Sequence, residues 1–410
     1  MRSMRVLLGM CAGLLVGFAI MPEATSLPRM SATSGAPCTT CHFNSDGGGL
    51  RSEIGWGTSQ MTGAIDHEQT GLSILSDRST NRVLDWMAIG GDARVQVARL
   101  GQPRETLDEA GETVTVTPDR HVIPMQLQPY IAIMPHDDLT LHGSYAAGPG
   151  LSDGEWCSTV YAGQTCAQGH LSWDPSSSLP TIRAGLFRPS LGIRHDDHTI
   201  LTHVDASMPR PTVIPPNYAE VGVEASYQPR HWLRLDAGAF RPDQLADAVG
   251  NPDISESATA AAYLARATYF PRFDFGPDKS FYGWVGASVY GDVDNRFRAD
   301  QGFVGLGWLD KGALMFELAH LSFGSETERR AINAASILNV QFREWLIAEG
   351  RLEQATTRFS NSDETHRRRA VVAGLQFYPV PFVKLRPEYR ITDTDAWVMG
   401  QYMMQLHLFY

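Results

Sequence analysis

Apolar and polar side chains alternate residue by residue along many stretches of this chain, from residue 90 to its end. In NYAEVGVEASYQ, one face of an extended strand would carry Val221 and Val223, and the other face Glu220 and Glu224. This period of two is typical of a β-strand with one apolar face. Because the stretches are numerous and no convincing helical pattern separates them, the sequence predicts an all-β fold.

The length of these stretches favours a membrane barrel over a soluble sandwich. A tilted strand crosses a bilayer in about 9–11 residues, and many of the stretches have about that length. The chain ends in WVMGQYMMQLHLFY, an aromatic-terminated strand that is similar to the C-terminal strand of bacterial outer-membrane barrels. Short connections alternate with longer polar loops, and the short ones lie at 135–138, 228–231, 309–312, 342–345 and 379–381.

From this alternation we predict a transmembrane antiparallel β-barrel of about sixteen strands (range about 14–18), with both termini in the periplasm. Strands counted from the two ends of the chain alternate consistently in direction only if residues 150–216 contain one strand besides PTIRAGLF. The outer-membrane lipid is then an obligatory partner of the outward face.

The first residues predict a secretory signal peptide, with a basic start, an apolar run from Val6 to Met21 and small residues before Leu27. We expect residues 1–26 to be removed and the mature protein to enter an oxidising compartment. After Met21, no window reaches the ~18 apolar residues of a membrane-spanning helix, which excludes a helical membrane protein. The net charge of -11 argues against a nucleic-acid partner.

Near the start of the mature chain stands the pentapeptide Cys38-Thr39-Thr40-Cys41-His42. The CxxCH spacing is that of c-type haem attachment, in which two thiols form thioethers and the adjacent histidine ligates the iron. We predict one covalent haem c on Cys38 and Cys41, with His42 as the proximal iron ligand. A thioredoxin-like CxxC pair would need a βαβ unit, and a zinc site would need two more ligands nearby.

The distal iron ligand stays open between two main candidates, Met61 and His67, with Met30 a further methionine just upstream. Methionine would raise the reduction potential relative to histidine. Only about 45 residues separate His42 from the first strand pattern, too few for a complete cytochrome domain. The domain prediction is therefore a haem segment with linker at 27–87 and a barrel at 88–410, which lends the haem its pocket.

Two further cysteines, Cys157 and Cys166, stand close together in EWCSTVYAGQTCAQG, among glycine and polar residues. In an oxidising compartment we expect thiols to be paired or otherwise occupied. The sequence thus predicts a disulfide between Cys157 and Cys166 that staples an outer loop.

The stretch AGLFRPSLGIRHDDHTILTH concentrates ionisable side chains, namely His195, Asp196, Asp197, His198 and His203. One interpretation is a solvated turn. The other is a segment folded into the barrel lumen, since GLFRPSLG is faintly similar to the strand before the constriction loop of anion-selective porins. In the lumen these histidines could line a path, bind a metal ion or approach the haem.

The order of these features resembles the fused monohaem cytochrome-porins of the bacterial outer membrane. The resemblance is specific at Cys38, Cys41 and His42, and APCTTCHFNSDGGGLR is similar to haem segments of family members that work with multihaem cytochromes. Other members take electrons from extracellular iron(II). The resemblance implies an electron conduit between extracellular iron or a multihaem cytochrome and a periplasmic c-type cytochrome.

Two other functions stay open on the sequence. The first is a diffusion porin or transport channel whose haem only docks or senses a periplasmic redox partner. The second is a haem enzyme acting on peroxide or another small molecule, which needs an open iron position and is disfavoured by six-coordinate iron.

Overall fold

The computed structural model describes most of the chain. The described residues are 32, 41–43, 47–60, 62–65, 80–100, 104–107, 113–116, 120–147, 163–176, 178–195, 197, 199–208, 212–215, 217–251, 253–256, 260–274, 280–308, 311–324 and 328–410. The signal peptide prediction lies outside this part of the chain. Within it, no helix has the length and apolar character needed to cross a membrane.

β-strands make up most of the described chain. In chain order they are β1 (Arg82–Leu84), β2 (Met87–Leu100), β3 (Arg104–Leu107), β4 (Thr113–Val116), β5 (Arg120–His136), β6 (Leu139–Tyr145), β7 (Ala167–Trp173), β8 (Thr181–Phe187), β9 (Glu220–Arg230), β10 (Leu233–Arg241), β11 (Ala262–Tyr269), β12 (Arg272–Asp274), β13 (Ser280–Asp292), β14 (Phe297–Trp308), β15 (Gly312–Phe323), β16 (Arg329–Arg343), β17 (Leu346–Phe359), β18 (Thr365–Phe377), β19 (Val383–Thr394) and β20 (Val398–Phe409). Within the described residues they are accompanied by the helices α1 (Glu53–Gln60), α2 (Asp243–Val249) and α3 (Asp253–Glu256), with a 3-10 turn at Leu201–His203.

The strands close into a sixteen-stranded antiparallel barrel, as the alternation predicted. Each wall strand pairs with the next along the chain, and β2 pairs with β20, for example Asp92 with Phe409, which closes the ring. The strands β11 and β12 both pair with β13 and form one wall strand interrupted at Phe270 and Pro271. The hairpin β3–β4 forms a separate two-stranded sheet in the connection between β2 and β5.

The barrel surface is apolar outside and polar inside. On β15, Leu314, Phe316 and Leu318 are exposed, whereas Glu317 between them is buried. The same inversion recurs on β9, where Val221 is exposed and Glu220 is buried. A soluble protein would not expose such a continuous apolar band, so this outer face matches a surface that contacts lipid.

The connections also agree with the sequence. Short turns join β5 to β6, β9 to β10, β14 to β15, β16 to β17 and β18 to β19. The required hidden strand is β7, which pairs with both β6 and β8. On the C-terminal strand, Tyr402 and Met404 are exposed while His407 and Phe409 are buried, in the predicted phase.

Two segments of the described chain that pack inside the barrel position the candidate site. The first is N-terminal and includes Leu50, which packs with Ala88, Tyr130 and Ala132 on the inner faces of β2 and β5. The second is the lumen segment, residues 188–206, which follows β8. Ala32, a described residue that precedes the CxxCH motif, packs with Ile193 of this segment in one buried cluster.

Candidate functional site

The second half of the CxxCH motif lies in a short antiparallel turn. His42 pairs with Arg51 across this turn, and the Phe43 amide donates to the Leu50 carbonyl at 3.1 Å. Gly48 and Gly49 have φ of +71° and +67°, a left-handed conformation that favours glycine. The glycine run after His42 therefore reverses the chain and brings residues 50–52 back to the motif.

The turn is anchored to the inner wall of the barrel. The Asn81 side-chain amide donates to the Arg51 carbonyl at 2.8 Å, and the Arg51 guanidinium lies 4.6 Å from the centroid of the Phe409 ring. Gly49 faces Tyr130, whose ring carbon Cε1 would be 3.6 Å from a Cβ at this position. The motif thus continues into the lumen at the end of the barrel that carries Phe409.

Helix α1 follows the turn and packs at this end of the barrel. Trp56 is fully buried and packs against Phe382 and Tyr410, with ring centroids 5.3 and 6.0 Å apart. Beyond the helix, the Ala64 amide donates to the Tyr378 carbonyl at 2.9 Å. The N-terminal segment therefore spans from β2 and β5 to the connection between β18 and β19.

Helix α1 also touches the motif directly, and this contact predicts a selective effect of one methyl group. A Cβ on Gly55 would lie 2.0 Å from the carbonyl oxygen of Cys41, a backbone atom. We expect Gly55→Ala to weaken the docking of α1 by about 1–3 kcal/mol. The measurement is amide hydrogen exchange of residues 41–60, which should become faster.

Gly57→Ala is the matched control, because a Cβ at Gly57 meets nothing within 4 Å. Alanine has the higher helix propensity, so this variant should stabilise α1 by about 1 kcal/mol. Equal exchange in the Gly55 and Gly57 variants would contradict the contact.

The structure describes only part of the predicted haem site. Cys41 and His42 are half-buried in the turn, whereas Cys38, Met61 and His67 lie outside the described residues, as does Met30. The haem attachment and the choice of distal ligand stay predictions. Cys166 is disulfide-bonded, and since Cys157 also lies outside the described part, its pairing with Cys166 stays a prediction.

The lumen segment crosses the barrel interior and is bonded to the wall at both sides. On one side, the Ser190 amide donates to Glu224 of β9 at 3.0 Å. Next, Glu317 of β15 accepts the Ile193 amide at 2.9 Å and contacts the His195 ring at 2.8 Å. Buried carboxylates of the wall therefore satisfy backbone donors that would otherwise lose their hydrogen bonds to water.

On the other side, the segment reaches β16, β17 and β19. Asp197 forms a 2.8 Å ion pair with Arg351, and Glu353 accepts the Leu201 amide at 2.7 Å. The Asn333 amide group donates to the carbonyl of Val204 at 2.7 Å. Of the two interpretations of this stretch, the lumenal one is correct, and the solvated turn is wrong.

The structure describes three of the five ionisable residues that the sequence singled out in this segment. His195, Asp197 and His203 contact the wall, whereas Asp196 and His198 lie outside the described residues. Among the side chains that are described, three or more His, Cys, Asp or Glu never converge as a metal site would require. Metal binding by this segment stays untested for the two undescribed side chains.

His203 is buried beneath the segment, with its ring nitrogen Nε2 beside the side-chain amide of Gln301. Burial lowers the pKa of His203 to about 4; Glu317 acts in the opposite direction, and Arg188 and His195 lower it further. A neutral imidazole can accept the Gln301 hydrogen bond at Nε2.

This depressed pKa predicts that the lumen segment loosens in acid. The detached segment would take up a proton on His203 near its ordinary value of 6.5, whereas the packed segment takes it up only near 4. The contribution of neutral His203 to the packing of the lumen segment is therefore complete above pH 6.5. It is lost as the pH falls from 6.5 to about 4, by about 3 kcal/mol in total. Amide exchange of Leu201 and Ala206, corrected for intrinsic rates, should accelerate accordingly. His203→Gln, neutral throughout, should remove most of this pH dependence, and an unchanged dependence would count against it.

Sequence reasoning missed the wall residues that surround both segments. Glu317, Glu353 and Arg351 bind the lumen segment, while Asp92 and Arg94 line β2 beside the N-terminal turn. These residues occupy the polar positions of the alternating stretches, which indicated that their side chains point into the barrel. Nothing in the alternation indicated which segment each would meet.

The fold is similar to that of solved outer-membrane porins. The anion-selective porin from Comamonas acidovorans matches with a TM-score of 0.50 at 8% identity, over 79% of this chain and 99% of that chain. Salmonella typhi OmpF in complex with daunomycin matches with a TM-score of 0.49 at 13% identity, over 79% and 97% of the two chains. The outer-membrane channel DcaP of Acinetobacter baumannii matches with a TM-score of 0.47 at 10% identity, over 79% and 97%. No protein-family model matches the chain, and a search of curated proteins finds no match.

The similarity to the Comamonas porin, together with the closed barrel and its apolar outer face, defines the class of fold. The chain folds as a porin-like transmembrane β-barrel.

Proposed function

We propose that this protein is an outer-membrane electron conduit that carries one covalent haem c inside its barrel. The haem is bound by thioethers to Cys38 and Cys41, with His42 as its proximal iron ligand. Electrons pass between a periplasmic c-type cytochrome and an extracellular donor or acceptor, either iron or a multihaem cytochrome. The observation that carries the proposal is that the turn containing Cys41 and His42 packs against the inner barrel wall.

The residues of the turn fit a covalent haem. Cys41 and His42 supply thiol and imidazole donors at the required spacing. The left-handed Gly48 and Gly49 reverse the chain after His42, which brings Arg51 back beside the motif. The Arg51 Nε is buried and makes no hydrogen bond to any described residue, so a donor is available to an anionic group.

The depth of the CxxCH turn inside the barrel supports electron conduction across the membrane, as opposed to simple attachment of a haem at the rim. A haem iron that alternates between the ferric and ferrous states accepts and releases one electron. The hydrocarbon core is ~30 Å thick, so a haem at the rim would leave most of that distance unbridged. The turn packs beside Gly90 and Tyr130, which lie three and six residues inside the nearer ends of β2 and β5, or roughly 10 and 20 Å along the strands at ~3.3 Å per residue.

The protein wall provides the insulation that such a path needs. The closed sheet satisfies every wall strand's backbone through its neighbours, and its apolar outer face excludes ions from the lipid side. The lumen segment, tied to Glu317 and Glu353, then separates the N-terminal turn from the opposite mouth of the barrel.

The proposal includes a location and an orientation. The barrel sits in the bacterial outer membrane with its apolar face in lipid, and both termini face the periplasm. Helix α1 then lies at the periplasmic end, where a soluble cytochrome could approach the motif.

A second candidate function is a diffusion channel whose haem only docks or senses a periplasmic redox partner. The porin fold favours it, because the Comamonas porin of the same fold is described as anion-selective. The lumen segment also lies where a constriction would control passage. This candidate explains the barrel without assigning the CxxCH motif to conduction.

Absorption spectroscopy of the detergent-purified protein tests the haem. We expect covalently retained haem after acid-acetone extraction, with low-spin spectra in the oxidised and reduced states. A thioether charge-transfer band in the oxidised form would select methionine as the distal ligand over histidine. Purified protein without covalent haem would contradict the proposal of an electron conduit.

Conductance in a planar bilayer separates the two functions. A conduit with a filled lumen should pass little ion current, whereas a diffusion porin should pass a large one. Large open-channel currents in haem-loaded protein would therefore favour the second candidate.

A further inference from the structure

Two arginines flank the glycine turn that follows His42. Arg51 lies on the returning arm of the turn, where it pairs with His42. Arg194 belongs to the lumen segment and meets the turn from the other side, since a Cβ on Gly48 would lie 2.8 Å from its Nε. Both side chains are half-buried. Two positive charges from distant parts of the chain therefore converge beside the CxxCH motif.

Within the described part of the chain, neither of these two arginines has a carboxylate partner of its own. Neither Arg51 nor Arg194 forms an ion pair there, and the Arg51 Nε makes no hydrogen bond there. Asp92 interacts electrostatically with Arg51, but its carboxylate already accepts hydrogen bonds from Tyr130 at 2.7 Å and His407 at 2.8 Å. Asp92 also interacts with the buried Arg94, so its charge is shared.

The far wall of the lumen provides a contrast. There Arg351, Arg386 and Arg390 form ion pairs with four carboxylates, namely Asp197, Glu349, Glu353 and Glu388. That cluster is compensated internally. Buried or half-buried charges need such compensation, since removing them from water is costly. The two arginines beside the CxxCH turn have no such match among the described residues, so both are available to an anionic ligand.

We infer that Arg51 and Arg194 form a carboxylate-binding pair that holds the two propionate groups of the haem. This inference rests on the proposed function, because it needs a haem on the motif. Arginine presents its donors in a planar fork that suits a carboxylate. Because Arg194 belongs to the lumen segment, the pair also couples that segment to the N-terminal turn and fixes the haem from both sides.

The test is the midpoint potential of the haem in Arg51→Gln and Arg194→Gln, measured on whole protein in detergent. Removing a positive charge beside a propionate favours the ferric state, so the potential should become more negative in each variant. The propionate pKa should rise, and the potential should gain a pH dependence near neutrality. Haem content by pyridine haemochrome should stay at the wild-type level, because the thioethers carry the attachment.

Arg82→Gln is the matched control. Arg82 lies at the same end of the barrel but is more exposed and pairs with Glu53 at 2.8 Å. Its removal should leave the potential unchanged, since solvent and salt screen an exposed charge. Cold-gel mobility of the unheated protein reports whether each barrel is folded. Should one variant fail to fold, the other arginine variant still tests the pair.

Three results would overturn the inference. In the first, haem is attached but the potentials of both arginine variants equal those of wild type and Arg82→Gln. In the second, added acetate shifts the wild-type potential but not that of the variants, which would assign the pair to free carboxylates. In the third, the wild-type protein carries no haem, and the haemochrome assay would then remove the proposed function as well.

Discussion

Replacing both Cys38 and Cys41 with serine is expected to abolish covalently bound haem completely while leaving the barrel folded. Each thioether needs its own thiol, and serine cannot form one. The barrel itself is held together by the hydrogen bonds between its sixteen wall strands. The CxxCH motif contributes no strand to this wall. Haem staining of a denaturing gel measures the covalent haem. The mobility shift between unheated and heated samples measures the fold.

The double variant with serine at Cys157 and Cys166 is the control. Cys166 is disulfide-bonded, so this variant loses a crosslink but no haem thiol. It should keep wild-type haem content and lose some stability of the loop that precedes β7. Haem retained after loss of Cys38 and Cys41, or lost in the control, would show that the motif is not the attachment site.

The barrel could be predicted because its signal is local. Alternation with period two reports, at each residue, which face is buried, and it requires no knowledge of the neighbours. The alternation of short and long connections then fixes whether each strand runs up or down. It required one strand besides Thr181–Phe187 in the region where β7 lies. β7 itself is short and rich in polar residues, AQGHLSW, so its own pattern was too weak to identify it.

The interior could be predicted only in part, because it is built from long-range contacts. The sequence offered the lumen segment as one of two interpretations, and its hydrogen bonds to Glu317 and Glu353 decide between them. The approach of Arg194 to Gly48 joins residues about 150 positions apart. No periodicity encodes such a pair, and a histidine in a loop reads the same whether it is solvated or buried.

Deleting the lumen segment is expected to raise the single-channel conductance severalfold. The deletion is feasible because the end of β8 lies directly beside the start of β9, with Phe187 opposite Glu220. A short turn can therefore replace residues 190–217, which comprise most of the lumen segment and the residues that connect it to β9, without disturbing the wall. The segment otherwise crosses the lumen between Glu224 and Arg351. Its loss would leave those charges facing water, which is the ordinary lining of a wide pore.

A matched deletion separates this effect from a general disturbance of the barrel. Residues 101–119 also connect paired positions, Arg99 and Arg120, and their β3–β4 hairpin pairs with no wall strand. Removing them should leave the conductance near that of wild type. If both deletions raised the current equally, or neither did, the lumen segment would not be the barrier. A rise confined to the lumen deletion would mean that the wild-type segment closes the pore, and electrons would then cross a compartment that ions cannot.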